Sequence, residues 1–238
     1  RKKSKKRREN VMRIRETFES SKRRYGAPKI KKKLEHRGII IGLNRVSRLM
    51  REEGLKSIIS KKYRALNKVK EVGGLSNKLN QDFKSEKYGE KISGDITYIK
   101  TKDRGWCYLS SYMDLYNNEI LAWNFSPSMD VELVLSTLEK IPKKHLKGSI
   151  VHTDRGSQYT SKETREKLRE YGAQESYSRK GNPYDNACIE SFHATLKKEL
   201  IYDIEEKSYG EMRGLLFEYI ESWYNNERIQ KRLGYLSP

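Results

Sequence analysis

The 238-residue chain carries 51 Lys and Arg against 32 Asp and Glu, a formal net charge of +19, with 35% hydrophobic residues and 16 Tyr. That apolar and aromatic content suits an ordinary domain plus a small one, and excludes a wholly disordered chain. The only cysteines, Cys107 and Cys188, exclude a disulfide framework and a four-cysteine zinc site; the absence of a long apolar run or signal-peptide pattern excludes a membrane span.

The charge is unevenly divided. Residues 1–70 hold 26 Lys and Arg against 6 Asp and Glu, whereas the rest of the chain holds 25 against 26. Such asymmetry is expected of a nucleic-acid-binding arm joined to a balanced globular domain. The run Arg1-Lys2-Lys3-Ser4-Lys5-Lys6-Arg7-Arg8 reads as a phosphate-binding tail. It lacks the bulky aromatics of a membrane-surface helix, and a merely solvated tail is the alternative. The chain starts at Arg1 rather than Met, which reads as a fragment or a trimmed product.

Three helices are predicted next. The first covers Val11 to Ser21; the second starts at Pro28, carries Ile30 and Leu34 and stops near Gly38. Asn44 is expected to cap the third, with Val46, Leu49 and Met50 on one face and Gly54 beyond its end. The last two read as a helix-turn-helix unit offering Arg45, Arg48 and Arg51 to DNA. A small bundle with a basic solvated face is the alternative. Residues 56–90, rich in Lys, Ser and Asn, read as a linker.

From Lys91 onward β-branched alternation takes over. Strands are predicted at Lys91–Lys100, Trp106–Leu115 and Glu119–Phe125, with Asp103-Arg104-Gly105 and Tyr116-Asn117-Asn118 as turns. Asp130 caps a helix carrying Val131, Val134, Leu135 and Leu138. A short strand at Ser149–Thr153 precedes a helix near Ser161–Tyr171. The loop Ser178–Asn186 leads into a helix from Ala187 to Ile201, and a last helix covers Ser208–Tyr224. Its Tyr209, Met212, Leu216, Tyr219 and Trp223 read as core, with a dimer seam as the alternative. Three antiparallel strands followed by alternating helices and strands give an α/β, ribonuclease-H-like mixed sheet flanked by helices, preceded by a small all-α helix-turn-helix region. The predicted domains are 1–55, a basic tail and DNA-binding region; 56–90, the linker; and 91–238, the catalytic domain with C-terminal helices.

Three carboxylates stand out. Asp95 lies within a strand, where Asp is depleted. Asp154 follows Ile150-Val151-His152-Thr153 at a strand end, where open α/β sheets bind ligands. Glu190 lies early in the helix after the loop. Such a trio could hold hard cations and serve in-line phosphoryl displacement. Spacing alone leaves the ordinary readings open: a turn Asp, an edge-strand Asp and a helix-start Glu. Glu190, His193 and Lys197 share one helix face, which places Lys197 to hold a phosphate near the carboxylates. His152 is expected to support the site rather than ligate, Asp185 to cap its helix, and Asp114 to be structural.

Three stretches carry a wider resemblance: Gly94-Asp95-Ile96-Thr97-Tyr98-Ile99, His152-Thr153-Asp154-Arg155-Gly156-Ser157-Gln158-Tyr159, and Ser178-Arg179-Lys180-Gly181-Asn182-Pro183-Tyr184-Asp185-Asn186-Ala187 running on to Glu190. Together with the helix-turn-helix segment and the ending Leu233-Gly234-Tyr235-Leu236-Ser237-Pro238, the chain resembles the catalytic part of bacterial insertion-sequence transposases of the IS-three family, relatives of retroviral integrases. It departs from their pattern at Ile92, His193 and Gln230. The resemblance implies that Asp95, Asp154 and Glu190 are the catalytic, metal-binding acids, holding two Mg²⁺ ions with Mn²⁺ able to substitute. It sets Arg179 and Lys180 among the DNA contacts and Asn186 among the supporting residues. It further implies a polynucleotidyl transferase that nicks transposon ends and transfers the 3′-hydroxyl strand. Its expected partners are terminal-repeat and target DNA, a second copy of the chain in a synaptic dimer, and an upstream-frame helix-turn-helix and leucine-zipper segment. The expected location is the bacterial cytoplasm, at the nucleoid. Rival readings are a non-catalytic DNA-binding regulator of element ends and a structure-specific nuclease of the same fold.

Overall fold

A computed structural model describes residues 2–59, 76–179 and 182–238, without the side chains of residues 2–4 and 183. The chain divides into two compact units, Arg1–Lys62 with Ile229–Leu236, and Tyr63–Arg228 with Ser237–Pro238.

In the first unit, helix α1 spans Lys2–Ser20, α2 spans Ala27–His36 and α3 spans Leu43–Glu52. The basic tail is therefore helical, continuous with the segment expected to begin at Val11. Lys and Arg are good helix formers, and Arg7 and Arg15 pair with Glu52 and Glu53 at the C-terminal end of α3. Ile14, Phe18, Ile30, Leu34, Val46 and Leu49 form the small core. Gly42, not Asn44, is the N-cap of α3, and no side chain bonds there; the helix starts one residue before Asn44, so that residue is already inside it. The C-terminal segment contributes to this unit through Ile229, whose amide donates to the Tyr25 hydroxyl at 2.9 Å.

The second unit is built on a five-stranded sheet in the order β3-β2-β1-β4-β5. Its strands are β1 (Lys91–Thr101), β2 (Gly105–Asp114), β3 (Ile120–Ser126), β4 (Ile150–Thr153) and β5 (Gln174–Tyr177). The first three form the expected antiparallel meander, and β4 and β5 add in parallel. Sequence reading did not find β5: four residues, three of them polar, give too little period-two signal.

Helices α4 (Val131–Leu138), α5 (Lys143–Leu146), α6 (Ser157–Thr160) and α7 (Lys162–Glu170) supply one side of the core. There Val134, Leu138, Leu146 and Leu168 pack with Ile92, Tyr112 and Val151 of the sheet. Asp130 caps α4 by accepting the Leu133 amide at 2.9 Å. Helix α8 (Ala187–Leu196) continues in a π-helical turn, Lys197–Ile201, and α9 (Tyr209–Phe217) continues likewise through Glu218–Tyr224. Met212, Leu216, Tyr219 and Trp223 of this last segment are buried within the chain.

Part of the expected linker packs against the sheet. Leu79 is 2% exposed, its amide bonds the Ser176 hydroxyl, and Tyr177 donates its amide to the Ser76 carbonyl. One apolar anchor in a polar stretch is invisible to composition.

Candidate active site

Beyond Ser93, β1 has no described strand partner on its β4 side, because β4 pairs only with Lys91–Ser93. Asp95 lies on that free half, opposite Ser111 of β2. Gly94, the residue before it, sits under the Tyr112 ring, where a Cβ would come within 2.5 Å; only glycine lets the strand pass so close. Asp154 directly follows β4, and its Oδ1 accepts the Gly156 amide at 2.9 Å. Glu190 is in the first turn of α8.

Asn186 fixes where α8 starts. Its side-chain amide donates to the Gly94 carbonyl at 3.1 Å, and its Oδ1 accepts the Ser93 hydroxyl. A buried Asn thus ties the helix bearing Glu190 to the backbone beside Asp95. One turn on, the buried His193 places Nδ1 3.2 Å from Asp95 Oδ2 and Nε2 2.7 Å from Ser111 Oγ. An imidazole with its proton on Nδ1 satisfies both contacts.

Asp154 and Glu190 both respond to the charge of Asp95. Burial pushes the Asp154 carboxyl above its ordinary range; the Gly156 amide opposes this and the Asp95 charge adds to it. Burial, then the charges of Asp95 and Asp154, push Glu190 up to about 7. Both side chains still open to solvent on one side, which screens part of the repulsion and leaves room for a ligand. Lys197 is pushed down by lost solvation, against the opposing pull of Asp95. Its ammonium stands 4.6 Å from the centroid of the Tyr98 ring.

Three oxygen-only donors that repel each other suit a hard divalent cation such as Mg²⁺. Among the described residues, no three His, Cys, Asp or Glu side chains are drawn together as a ready-made coordination cluster. The fit is thus one of donor chemistry and charge.

The remaining predicted residues fall elsewhere. His152 is buried between two hydroxyls, with Nδ1 2.8 Å from Ser176 Oγ and Nε2 3.0 Å from Ser178 Oγ. Burial pushes it down to about 4 despite the opposing charge of Asp185, so it pins β4 to β5 as a neutral ring. Asp185 is not a helix cap. Its fully buried carboxylate accepts the Arg179 guanidinium at 2.8 and 3.0 Å, the Arg179 amide, Asn77 and Gln81. Burial raises this carboxyl, but those donors outweigh it and hold it at about 2. Arg179, expected at DNA, thus has its guanidinium engaged with Asp185. Lys180 lies outside the described residues. On α3, Arg48 and Arg51 are exposed and Arg45 is half-buried, while Val46, Leu49 and Met50 face inward. Asp114 is structural, its buried carboxylate accepting the Gly89 and Tyr116 amides.

Known proteins resemble the chain along most of its length. Residues 85–183 and 171–238 match models of the integrase core domain, and residues 5–63 match an HTH-like domain. The transposase for insertion sequence element IS904 of Lactococcus lactis is 42% identical over 94% of this chain and 90% of its own length. The chain belongs to the IS-three family of insertion-sequence transposases. Transposase InsF for insertion sequence IS3A of Escherichia coli is 37% identical over 93% of this chain and 77% of its own length. A chain of the simian T-cell lymphotropic virus intasome aligns at 15% identity and a TM-score of 0.48, covering 84% of this chain and 66% of that one. No helix among the described residues is long and apolar enough to cross a membrane.

In this transposase, His193 is the site residue that sequence reasoning passed over. Its place on the Glu190 face was visible from helical spacing, but its bond to Asp95 depends on a sheet contact that no local pattern encodes.

The raised Glu190 carboxyl, pushed up first by burial and then by its acidic neighbours, has a measurable consequence. A folded-state value raised above the unfolded one means that protonated Glu190 stabilises the fold, and this contribution is lost as pH rises from the ordinary glutamate range through about 7. Glu190→Gln is therefore expected to raise the melting temperature of the metal-free protein at pH 8 and leave it unchanged near pH 4. Thermal unfolding across that range, with and without Mg²⁺, checks it: added Mg²⁺ should stabilise the unmodified chain at pH 8 and the variant much less.

Proposed function

We propose that this transposase cuts DNA at the ends of its element and joins the freed strand to a second phosphodiester, using Asp95, Asp154 and Glu190. The observation that carries the reading is the placement of three carboxylates, Asp95 within β1, Asp154 just past the end of β4 and Glu190 in the first turn of α8, with the Asp95 charge acting on Asp154, Glu190 and Lys197. In the first step a water oxygen bonds to phosphorus, the bond to the 3′-oxygen breaks, and a 3′-hydroxyl is released on the element. In the second, that 3′-oxygen bonds to another phosphorus and displaces its 3′-oxygen, so one phosphodiester replaces another and no outside energy is consumed.

Asp95, Asp154 and Glu190 would hold two Mg²⁺ ions, whose chemistry is to acidify the attacking hydroxyl and neutralise charge on the transferring phosphate. The protein's own contribution is positional. His193, clamped to Ser111, holds one Asp95 oxygen and leaves the other free. The Gly156 amide fixes Asp154, and Asn186 ties the start of α8, the helix that carries Glu190, to the backbone beside Asp95. Lys197 is placed to hold a phosphate, and the exposed Arg48 and Arg51 of α3 to grip the duplex with Arg45. The excess charge of residues 1–70 supports DNA as the partner. By its family, the working assembly is a dimer pairing two terminal repeats, with an upstream-frame segment as fusion or partner; the first attack is on the element's other end and insertion into target DNA follows.

The test is incubation with labelled end-containing DNA and Mg²⁺, followed by separation of strands on a denaturing gel. The expected products include strands longer than the substrate. Cut strands that are never joined would make the chain a nuclease, and binding without any product would make it a regulator.

A further inference from the structure

Tyr98 and Trp106 are large aromatic side chains left 58% and 54% exposed on a well-paired β1–β2 hairpin. Their rings meet edge to face, 5.4 Å between centroids at 90°. They border an open cleft of about 260 Å³ with Lys197, Tyr202, Glu205 and Glu206. Tyr202 is also exposed, at 71%. Lys197 links this cleft to the carboxylates, since its ammonium rests on the Tyr98 ring and also feels the Asp95 charge.

We propose that Tyr98 and Trp106 form a stacking platform that receives an unpaired nucleobase of the DNA strand bound at the carboxylates. The inference rests on the strand-transfer reading above. Rigid, solvent-facing aromatics beside a cation are the elements with which proteins hold single-stranded nucleic acid, the rings taking the base and the cation its phosphate. The charge pattern orients the strand. Glu205 and Glu206 line the cleft, and Lys100, also in its lining, is paired with Glu206 at 3.0 Å, which leaves Lys197 as the cation facing the carboxylates. The phosphates are thereby turned toward Lys197 and the site, and the base toward the rings. A base that is already unpaired stacks without the cost of opening a pair, so the enzyme discriminates in favour of frayed ends.

The 238-residue chain is titrated with two DNAs of the same end sequence, one fully paired and one with a few unpaired terminal nucleotides carrying 2-aminopurine. The unmodified chain is expected to bind the frayed DNA more tightly and to change the 2-aminopurine fluorescence. Trp106→Ala and Tyr98→Ala should each weaken binding of frayed DNA by about tenfold, within the range measured for base–aromatic stacking. Binding of paired DNA should hardly change, and Trp106→Phe should retain the preference. Equal losses on both DNAs, or no loss on either, would overturn the proposal. So would a Trp106→Ala variant whose sedimentation changes while its preference for frayed DNA persists, since the rings would then be contacting a second copy. The two readings fail separately. Joined products that are indifferent to Tyr98 and Trp106 remove the platform alone, whereas a ring-dependent preference without cutting or joining removes the strand-transfer reading alone.

Discussion

Asp154→Asn is expected to reduce both cutting and joining of end DNA by at least about a hundredfold, the scale on which one preorganised charged group contributes to a transition state. The amide keeps the shape and can still accept the Gly156 amide at its oxygen, so the strand end should not move. What disappears is a negative oxygen in a site where Asp95, Asp154 and Glu190 already repel one another. DNA affinity should hold or rise slightly, because a negative charge facing phosphates is removed. Asp95→Asn and Glu190→Gln should behave alike. Combining two of these substitutions should cost little more than one, because groups that act as a unit lose their effect together. Quantified gels and equilibrium binding on the same DNA check this. Undiminished products from Asp154→Asn would remove that residue from the chemistry.

Glu199→Gln should produce the largest loss of stability. Glu199 has a fully buried side chain and accepts the Arg228 guanidinium at 2.9, 3.0 and 3.1 Å, the Tyr219 hydroxyl at 2.9 Å and the Trp223 indole at 3.2 Å. The Arg228 side chain is only 13% exposed. Glutamine preserves volume but leaves that cation without its counter-charge, which costs about 3–5 kcal/mol. For a unit of this size the melting temperature should fall by roughly 6–20 °C. A double variant, Glu199→Gln with Arg228→Met, should recover much of the loss, because an apolar side chain needs no counter-charge. Circular dichroism melts of the three proteins decide it. A loss in the single variant below about 1 kcal/mol, the surface-pair scale, would show that solvent already screens the pair. Glu199 lies with Lys197 in the π-helical continuation of the helix carrying Glu190, so weaker anchoring should also lower activity.

Much of the fold was legible because its signals are local. The alternation in Lys91–Thr101, the Asp103-Arg104-Gly105 turn and the Asp130 cap each specify their element within a few residues, and the antiparallel meander follows from short connections. The reading failed where tertiary contacts override local preference. Four-residue β5 exists because β4 pairs with it. The basic tail is helical where Arg7 finds Glu52. Asp185 is drawn from a capping role into a buried ion pair with Arg179, six residues earlier.

By itself, the amino-acid sequence determined the segregation of positive charge into the first third, the meander, and the spacing of Asp95, Asp154 and Glu190 along the chain. These properties need only composition, period and covalent order. Which side chains face one another was decided by the folded structure: His193 between Asp95 and Ser111, Asn186 against Gly94, and Lys197 over Tyr98. Such contacts join residues dozens of positions apart. They arise only when sheet order and helix packing bring two distant backbones to the same few ångströms, which no window of sequence records.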